Sequence, residues 1–356
     1  MIKVEEPGRG DYIRWTAPMV QGMSAGHRAL NRGKRSISLN LKTPQGGDLL
    51  RRLCQTADVL VESFRPGVMQ RLGVGFDALS SVNPRMVYCA ITGFGQDGPY
   101  MDRAGHDINY AGYGGILSLT GAPDGRPMLP GVQVGDLGGG GMLGAIGILA
   151  ALIERAGTGR GRFVDASMLD GVVSWLMVEA AAFLATGEVP AAGSTPLTGG
   201  LACYQIYRAG DGRHLTVGAL EPQFWRALCG ALGCPDLVDE QYGPPDRQSQ
   251  MKERLQGIFL QRGRDQWLQV LAEVEACVGP VNDIAEALSD PQVQHRGMVA
   301  EVGGAPVGPG SALKMSNHRQ ADLSPAPELG EHTGDVLATI GVDEDELAQL
   351  RAQGVV

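Results

Sequence analysis

The chain has no surplus of positive charge, no paired cysteine sites and no apolar run of membrane-spanning length. Its formal net charge is -9 over 356 residues, which argues against nonspecific binding to nucleic acid or to an anionic bilayer, since both require a positive field. An anionic small molecule would need a local basic patch instead. The six cysteines, Cys54, Cys89, Cys203, Cys229, Cys234 and Cys277, sit in apolar surroundings. Cys229 and Cys234 have no second pair to complete a metal site, so the cysteines read as reduced core residues of a cytoplasmic protein and no metal is expected. The most apolar stretch, 142–153, is followed by Glu154 and Arg155 and is too short to cross a bilayer. No signal peptide, internal repeat or Walker-type phosphate loop is present, and the glycine run Gly138 to Gly141 does not match one.

A hydrophobic content of 43% with 19% charged residues is that of a globular chain with a full core, long enough for two domains. The first half alternates β-rich and amphipathic helical runs, the pattern of a parallel sheet covered by helices. Strands are expected at 36–40, 59–62, 86–91 and 163–166, with Pro44 opening a helix over 45–57 between the first two. Small-residue helices are expected over 142–155 and 168–186, then a Gly, Pro, Ala and Thr-rich stretch, and a strand pair, 202–207 and 214–217, around the turn Gly210-Asp211-Gly212. Helical segments follow at 222–232, 248–261, 264–275 and 281–287, with a terminal helical pattern over 329–350. The expected division is a large α/β domain, 1–186, a linker, 187–200, a smaller α+β domain, 201–288, a second linker, 289–328, and a C-terminal segment, 329–356.

Three segments place polar groups among glycines where packing would not ask for them: Gly105-His106-Asp107-Ile108, Val134-Gly135-Asp136-Leu137-Gly138 and Gly218-Ala219-Leu220-Glu221-Pro222-Gln223-Phe224. Taken singly, each has a structural reading. His106 suits a helix cap or an exposed loop, Asp136 an N-cap, and Glu221 a first-turn acid favoured by the helix dipole.

Together the strings Arg103-Ala104-Gly105-His106-Asp107-Ile108-Asn109-Tyr110, Gly135-Asp136-Leu137-Gly138-Gly139-Gly140 and Glu221-Pro222-Gln223-Phe224 resemble the α-methylacyl-CoA racemase branch of the family III CoA-transferase superfamily (CaiB/BaiF type). Asn31-Arg32-Gly33-Lys34-Arg35-Ser36, Glu62-Ser63-Phe64-Arg65-Pro66-Gly67-Val68, Gly93-Phe94-Gly95-Gln96-Asp97-Gly98-Pro99 and Gly157-Thr158-Gly159-Arg160-Gly161 extend the resemblance over nearly the whole chain. It implies a Rossmann-like large domain to which the C-terminal segment, 329–356, returns, an acyl-CoA substrate, an isomerase of lipid metabolism, an interlocked homodimer, and no cofactor beyond the CoA moiety of the substrate. Family members usually carry a further strand and helix ahead of the strand that is here Ile2-Lys3-Val4-Glu5. Leu201-Ala202-Cys203 and Gln133 depart from the residues that racemases more often show.

The resemblance assigns His106 and Asp136 as the acid/base pair and puts Glu221 beside the histidine, where it would orient the imidazole. Inverting a carbon next to a thioester needs one group to remove the α-proton and another to return a proton on the opposite face. Histidine titrates near neutrality, and an aspartate can serve as the acid if its surroundings raise its pKa. The backbone N–H of Asp107, opening a helix, is the candidate donor to the enolate oxygen. Lys42, Arg65, Arg71 and Tyr110 match CoA-contacting positions, and arginine and lysine suit diphosphate. Transferases of the superfamily resemble this chain at Asp136, their nucleophile, but typically lack the histidine and tend to carry a longer glycine loop than Thr198-Gly199-Gly200-Leu201. A CoA-transferase is the alternative reading, and a truncated, inactive CoA-binding chain the second.

Overall fold

A computed structural model describes residues 1–121, 125–316 and 324–356. Part of the expected linker over 289–328, residues 317–323, lies outside the described residues. The fold is mixed α/β with parallel strand pairing, and among the described residues no sheet closes into a barrel.

Chain contacts divide the protein into two compact units. The first comprises Met1–Asp102, Leu143–Ala166 and Ile284–Val356, and the second Arg103–Met142 and Ser167–Asp283. Residues 103–142 and 167–186 thus group with the 201–283 stretch and not with the N-terminal segment, a different partition from the one expected.

In the first unit β1 (Ile2–Glu5) pairs in parallel with β2 (Arg35–Ser38), and β3 (Val59–Glu62) pairs in parallel with β4 (Val87–Thr92), which neighbours β5 (Phe163–Ser167). Among the described residues β1 has no partner besides β2, and β3 none besides β4, so the parallel sheet is present as two ladders of two and three strands. The helix Pro44–Cys54 begins where the sequence places it: Thr43 Oγ1 accepts from the Gly46 N–H at 3.1 Å and Pro44 needs no donor. Leu49, Leu50 and Cys54 on its inner face join Met86, Tyr88 and Ala90 of the β4 region in one core. Leu337, Leu350 and Val355 complete that core from the C-terminal segment. The helical pattern expected over 329–350 is two helices, Thr333–Ala338 and Glu344–Ala352. Gly341, at φ 83°, ends the first, and the Asp343 carboxylate caps the second by accepting from the Glu346 N–H at 2.8 Å.

The second unit holds an antiparallel sheet in the order β8 (Val278–Pro280), β7 (His214–Gly218), β6 (Tyr204–Arg208). Its core packs Tyr207, Leu215 and Val217 against Trp225, Leu228, Phe259 and Trp267 of the following helices.

The glycine run differs most from expectation. Val134–Met142 is a π-helical turn continuous with the helix Leu143–Thr158, giving a helical run of 25 residues. By length and composition this run is long and apolar enough to cross a bilayer, unlike the shorter stretch expected. The reason is that the glycines are themselves helical. They permit close packing on Met168–Trp175: a Cβ on Gly139 would lie 2.6 Å from the Met168 carbonyl oxygen, and one on Gly171 would overlap the Gly139 Cα. The helix expected over 168–186 is two, Met168–Trp175 and Met177–Thr186, bent by 69°. The first is seated on the glycine turn while the second continues past it.

Candidate active site

His106 occupies the N-cap of the helix Asp107–Tyr113. The turn is fixed from both sides. Asn109 Oδ1 accepts from the His106 N–H at 3.0 Å, and the His106 carbonyl accepts from the Asn109 N–H at 2.8 Å. The Tyr110 hydroxyl donates to the Gly105 carbonyl at 2.6 Å, and a Cβ on Gly105 would meet the Tyr110 ring at 2.7 Å. Gly105 therefore precedes the histidine because the tyrosine fills the space a side chain would take. The imidazole itself is exposed.

Asp136 lies in the first π-helical turn and is also exposed. Its backbone N–H donates to Asp107 Oδ1 at 3.0 Å, which ties the glycine turn to the histidine helix. Gly135 is buried between them, where a Cβ would lie 3.0 Å from Asp107 Oδ1 and 3.6 Å from Tyr110 Cβ. The Asp136 carboxyl is pushed up from the ordinary aspartate range, first by burial of part of its surface, then by the negative charge of Asp107, while His106 pulls it down. His106 and Asp136 therefore lie within electrostatic reach of each other inside one unit. Two chemically different proton carriers share one neighbourhood, and the carboxyl is shifted in the direction that an acid role requires.

The Asp107 N–H, at the first position of its helix, has no acceptor among the described residues, as the first turn of any helix leaves it.

Glu221 is the N-cap of the helix Pro222–Ala231, and its exposed carboxylate makes no capping hydrogen bond. The strand-to-helix loop behind it is held by two buried glutamines that the sequence motifs do not reveal. Gln241 Nε2 donates to the Leu220 carbonyl at 2.7 Å and to the Ala219 carbonyl at 3.1 Å. Gln248 Nε2 donates to the Gln241 carbonyl at 3.0 Å, while its Oε1 accepts from the Ala202 N–H at 2.8 Å. The Tyr242 hydroxyl, pushed up by burial, by Cys203 and by the charge of Glu221, donates to the Leu220 carbonyl at 2.5 Å. Among the described residues no hydrogen bond or ion pair joins Glu221 to His106, so the orienting contact implied by the resemblance is not made within one chain.

The four CoA candidates separate. Lys42, Arg65 and Arg71 belong to the first unit and Tyr110 to the second. Lys42 pairs with Glu6 at 2.9 Å, both largely exposed. Arg65 and Arg71 flank the turn that follows β3, where Gly67 at φ 80° takes a left-handed conformation and its missing Cβ leaves 3.1 Å to the Arg71 guanidinium. Both arginines are exposed and have no ion-pair partner among the described residues. Tyr110 is buried, and its hydroxyl serves the His106 turn. A cavity of about 330 Å³ bordered by Phe224, Leu268 and Val274 lies in the second unit, and none of His106, Asp136 and Glu221 lines it.

Sequence and structure comparisons converge on one family. Residues 1–333 match the model of CoA-transferase family III. The chain is 36% identical over 332 residues to the alpha-methylacyl-CoA racemase of Homo sapiens, covering 92% of this chain and 86% of the relative. It is 34% identical over 368 residues to the succinyl-CoA:glutarate CoA-transferase of Mus musculus, covering 100% and 84%. A CAIB/BAIF family protein from Brucella suis superposes with a TM-score of 0.82 at 34% identity, over 95% of this chain and 91% of that one. Racemases and transferases stand at similar distance, and both are acyl-CoA enzymes. The chain belongs to CoA-transferase family III.

Proposed function

We propose that the protein epimerises 2-methylacyl-CoA thioesters by 1,1-proton transfer through an enolate-like intermediate. The observation that carries this reading is the placing of His106 within electrostatic reach of Asp136, whose backbone is tied to the histidine helix through Asp107 and whose carboxyl is raised from the ordinary aspartate range by burial and by Asp107. Acyl transfer through an aspartyl anhydride calls for an ionised nucleophile and has no use for the imidazole.

In one direction neutral His106 removes the α-proton, the electron pair moves onto the thioester oxygen, and the Asp136 carboxyl returns a proton to the opposite face. The products are the inverted thioester, an imidazolium and a carboxylate. The reverse direction exchanges the roles, and proton exchange with solvent resets the pair. A positioned acid or base contributes about 10²–10⁴-fold in rate, so the enolate oxygen also needs a donor. The Asp107 N–H at its helix N-terminus supplies one. Glu221 orients the imidazole from a second copy of the chain, which fits the lack of a hydrogen bond or ion pair to its carboxylate among the described residues. Lys42, Arg65 and Arg71 bind the phosphates of CoA, Tyr110 supports the histidine turn from which CoA is also contacted, and no further cofactor takes part.

The working form is an interlocked homodimer. The helix Leu143–Thr158 exposes Ile146, Leu149 and Ile153 at helical spacing, 60–76% accessible, and Met177–Thr186 exposes Met177, Val178 and Leu184 at 66–82%. Apolar stripes of this extent are normally covered by a partner.

Deuterium exchange decides the reaction. Incubation of a 2-methylacyl-CoA in deuterated buffer with no CoA acceptor washes label into the α-position if the reading is right. No exchange, together with capture of an Asp136 hydroxamate after incubation with acyl-CoA, would make the protein a transferase.

A further inference from the structure

Cys229 and Cys234 lie at opposite ends of the turn that closes the helix Pro222–Ala231, both with no accessible surface and both unpaired. The Cys234 N–H donates to the Cys229 carbonyl at 2.9 Å, closing the intervening loop, and Gly233 makes the reversal at φ 70°. With Gly233 N–H donating to the Gly230 carbonyl at 3.2 Å, this is the helix-ending motif whose two outer residues, here Cys229 and Cys234, bring their side chains together, and each thiol shifts the titration of the other. The turn is shallow: Gly233, Pro235 and Asp236 around Cys234 are exposed, so opening one turn admits a small oxidant.

We propose that Cys229 and Cys234 form a dithiol that a hydroperoxide converts reversibly to a disulfide, making this turn an oxidative modification site of the second unit.

The two sulfurs are not equivalent. The hydrogen bond from Cys229 lowers the Cys234 thiol, burial opposes this, Arg254 adds to the lowering, and Asp236 offsets it. Cys229 moves the other way, because it gives its proton to that hydrogen bond and is buried. Arg254 is held over the turn by its ion pair with Asp236, at 2.8 Å for Nη2 to Oδ1. Cys234 is thus the nucleophile. Its thiolate attacks the peroxide, an S–O bond forms, the O–O bond breaks, and the distal oxygen leaves as water or alcohol. Cys229 sulfur then attacks Cys234 sulfur; the S–S bond forms, the S–O bond breaks, and hydroxide leaves with the Cys229 proton as water. Two thiols are oxidised and one hydroperoxide is reduced. In a reducing compartment such a bond is transient. It staples the C-terminal end of the helix whose N-cap is Glu221.

Treatment of the native full chain with hydrogen peroxide, followed by alkylation of residual thiols and trypsin, tests this directly. Cleavage after Arg226 and Arg247 leaves both cysteines in one peptide, 227–247. That peptide should lose the mass of two hydrogens, take up no alkyl group, and regain both sites after dithiothreitol. Cys229→Ser should abolish the loss, and the exposed Cys277 serves as the internal comparison. The oxidised wild type should also unfold at a higher temperature than its reduced form, a rise absent in Cys229→Ser. A doubly alkylated peptide from the native protein, a bond that forms only in urea, or oxygen accumulating on one sulfur without a cross-link would each overturn the proposal.

Discussion

The side chain of Asp107 accepts a hydrogen bond from the backbone N–H of Asp136 at 3.0 Å. One carboxylate thereby aligns the turn that carries the proposed acid and, through its charge, contributes to raising the pKa of that acid. Asp107→Asn preserves an acceptor oxygen and removes the charge. The Asp136 carboxyl should then titrate lower, so the limb of the pH–rate profile that requires protonated Asp136 should move to lower pH. At neutral pH the half-reaction in which Asp136 donates should slow more than the one in which it accepts. Rate profiles measured from each epimer separately check this; equal slowing in both directions with an unmoved limb would assign Asp107 a purely structural role.

Removing either carrier should separate the two faces of the substrate. His106→Ala should suppress α-proton exchange from one epimer by about 10²–10⁴-fold while leaving exchange from the other measurable, and Asp136→Ala should do the complementary thing. Deuterium incorporation into each purified epimer, read by mass spectrometry, distinguishes this from complete loss of all exchange in both variants, which would leave the assignment of two faces without support.

The elements of the first half were legible because their signals are local. The β3 run 59–62 and the Pro44 helix start follow from β-rich composition and a proline that needs no donor. The glycine run was not, because glycine opposes helix on propensity. Here close approach to Met168–Trp175 overrides that cost, and contacts of this kind are absent from any window of sequence. His106 and Asp136 stand out in the sequence as polar residues among glycines. Asp107 is singled out there only for its backbone N–H, and only the fold shows its carboxylate reaching the Asp136 N–H. Gln241 and Gln248, which hold the loop leading to Glu221, carry no signal in a single sequence, since a buried glutamine reads as an exposed one until its partners are known.

The contact between Gly139 and Gly171 predicts a sharp stability effect. A methyl group on Gly171 would overlap the Gly139 backbone, and neither segment can yield without disturbing the turn that carries Asp136. Gly171→Ala should cost about 1–3 kcal/mol or more, the usual range for overpacking, and should reduce activity along with stability. Gly157→Ala, at a position with open space around it, is the control and should leave both nearly unchanged. Urea unfolding of the two variants provides the comparison.

Acid should release the N-terminal strand through Glu5. Burial alone would raise the Glu5 carboxyl, but hydrogen bonds from Arg14, from the Ser36 hydroxyl and from the Asp11 N–H outweigh it and hold the pKa at about 2. Arg14 also donates to the Pro327 carbonyl at 3.1 Å, so the pair joins β1 to the returning C-terminal segment. A carboxylate depressed on folding binds fewer protons in the native state than in the unfolded one. Its contribution is therefore complete above the unfolded value near 4.5 and is lost as pH falls from there toward 2. The loss should amount to about 1–3 kcal/mol after allowance for the cost of burying the charges. Glu5→Gln should flatten the stability profile across that window while lowering stability at pH 7, and Arg14→Met, which strands a buried carboxylate, should lower it further. Thermal midpoints of the three proteins from pH 7 down to pH 3 measure the difference, and parallel curves would show that another group governs the acid transition.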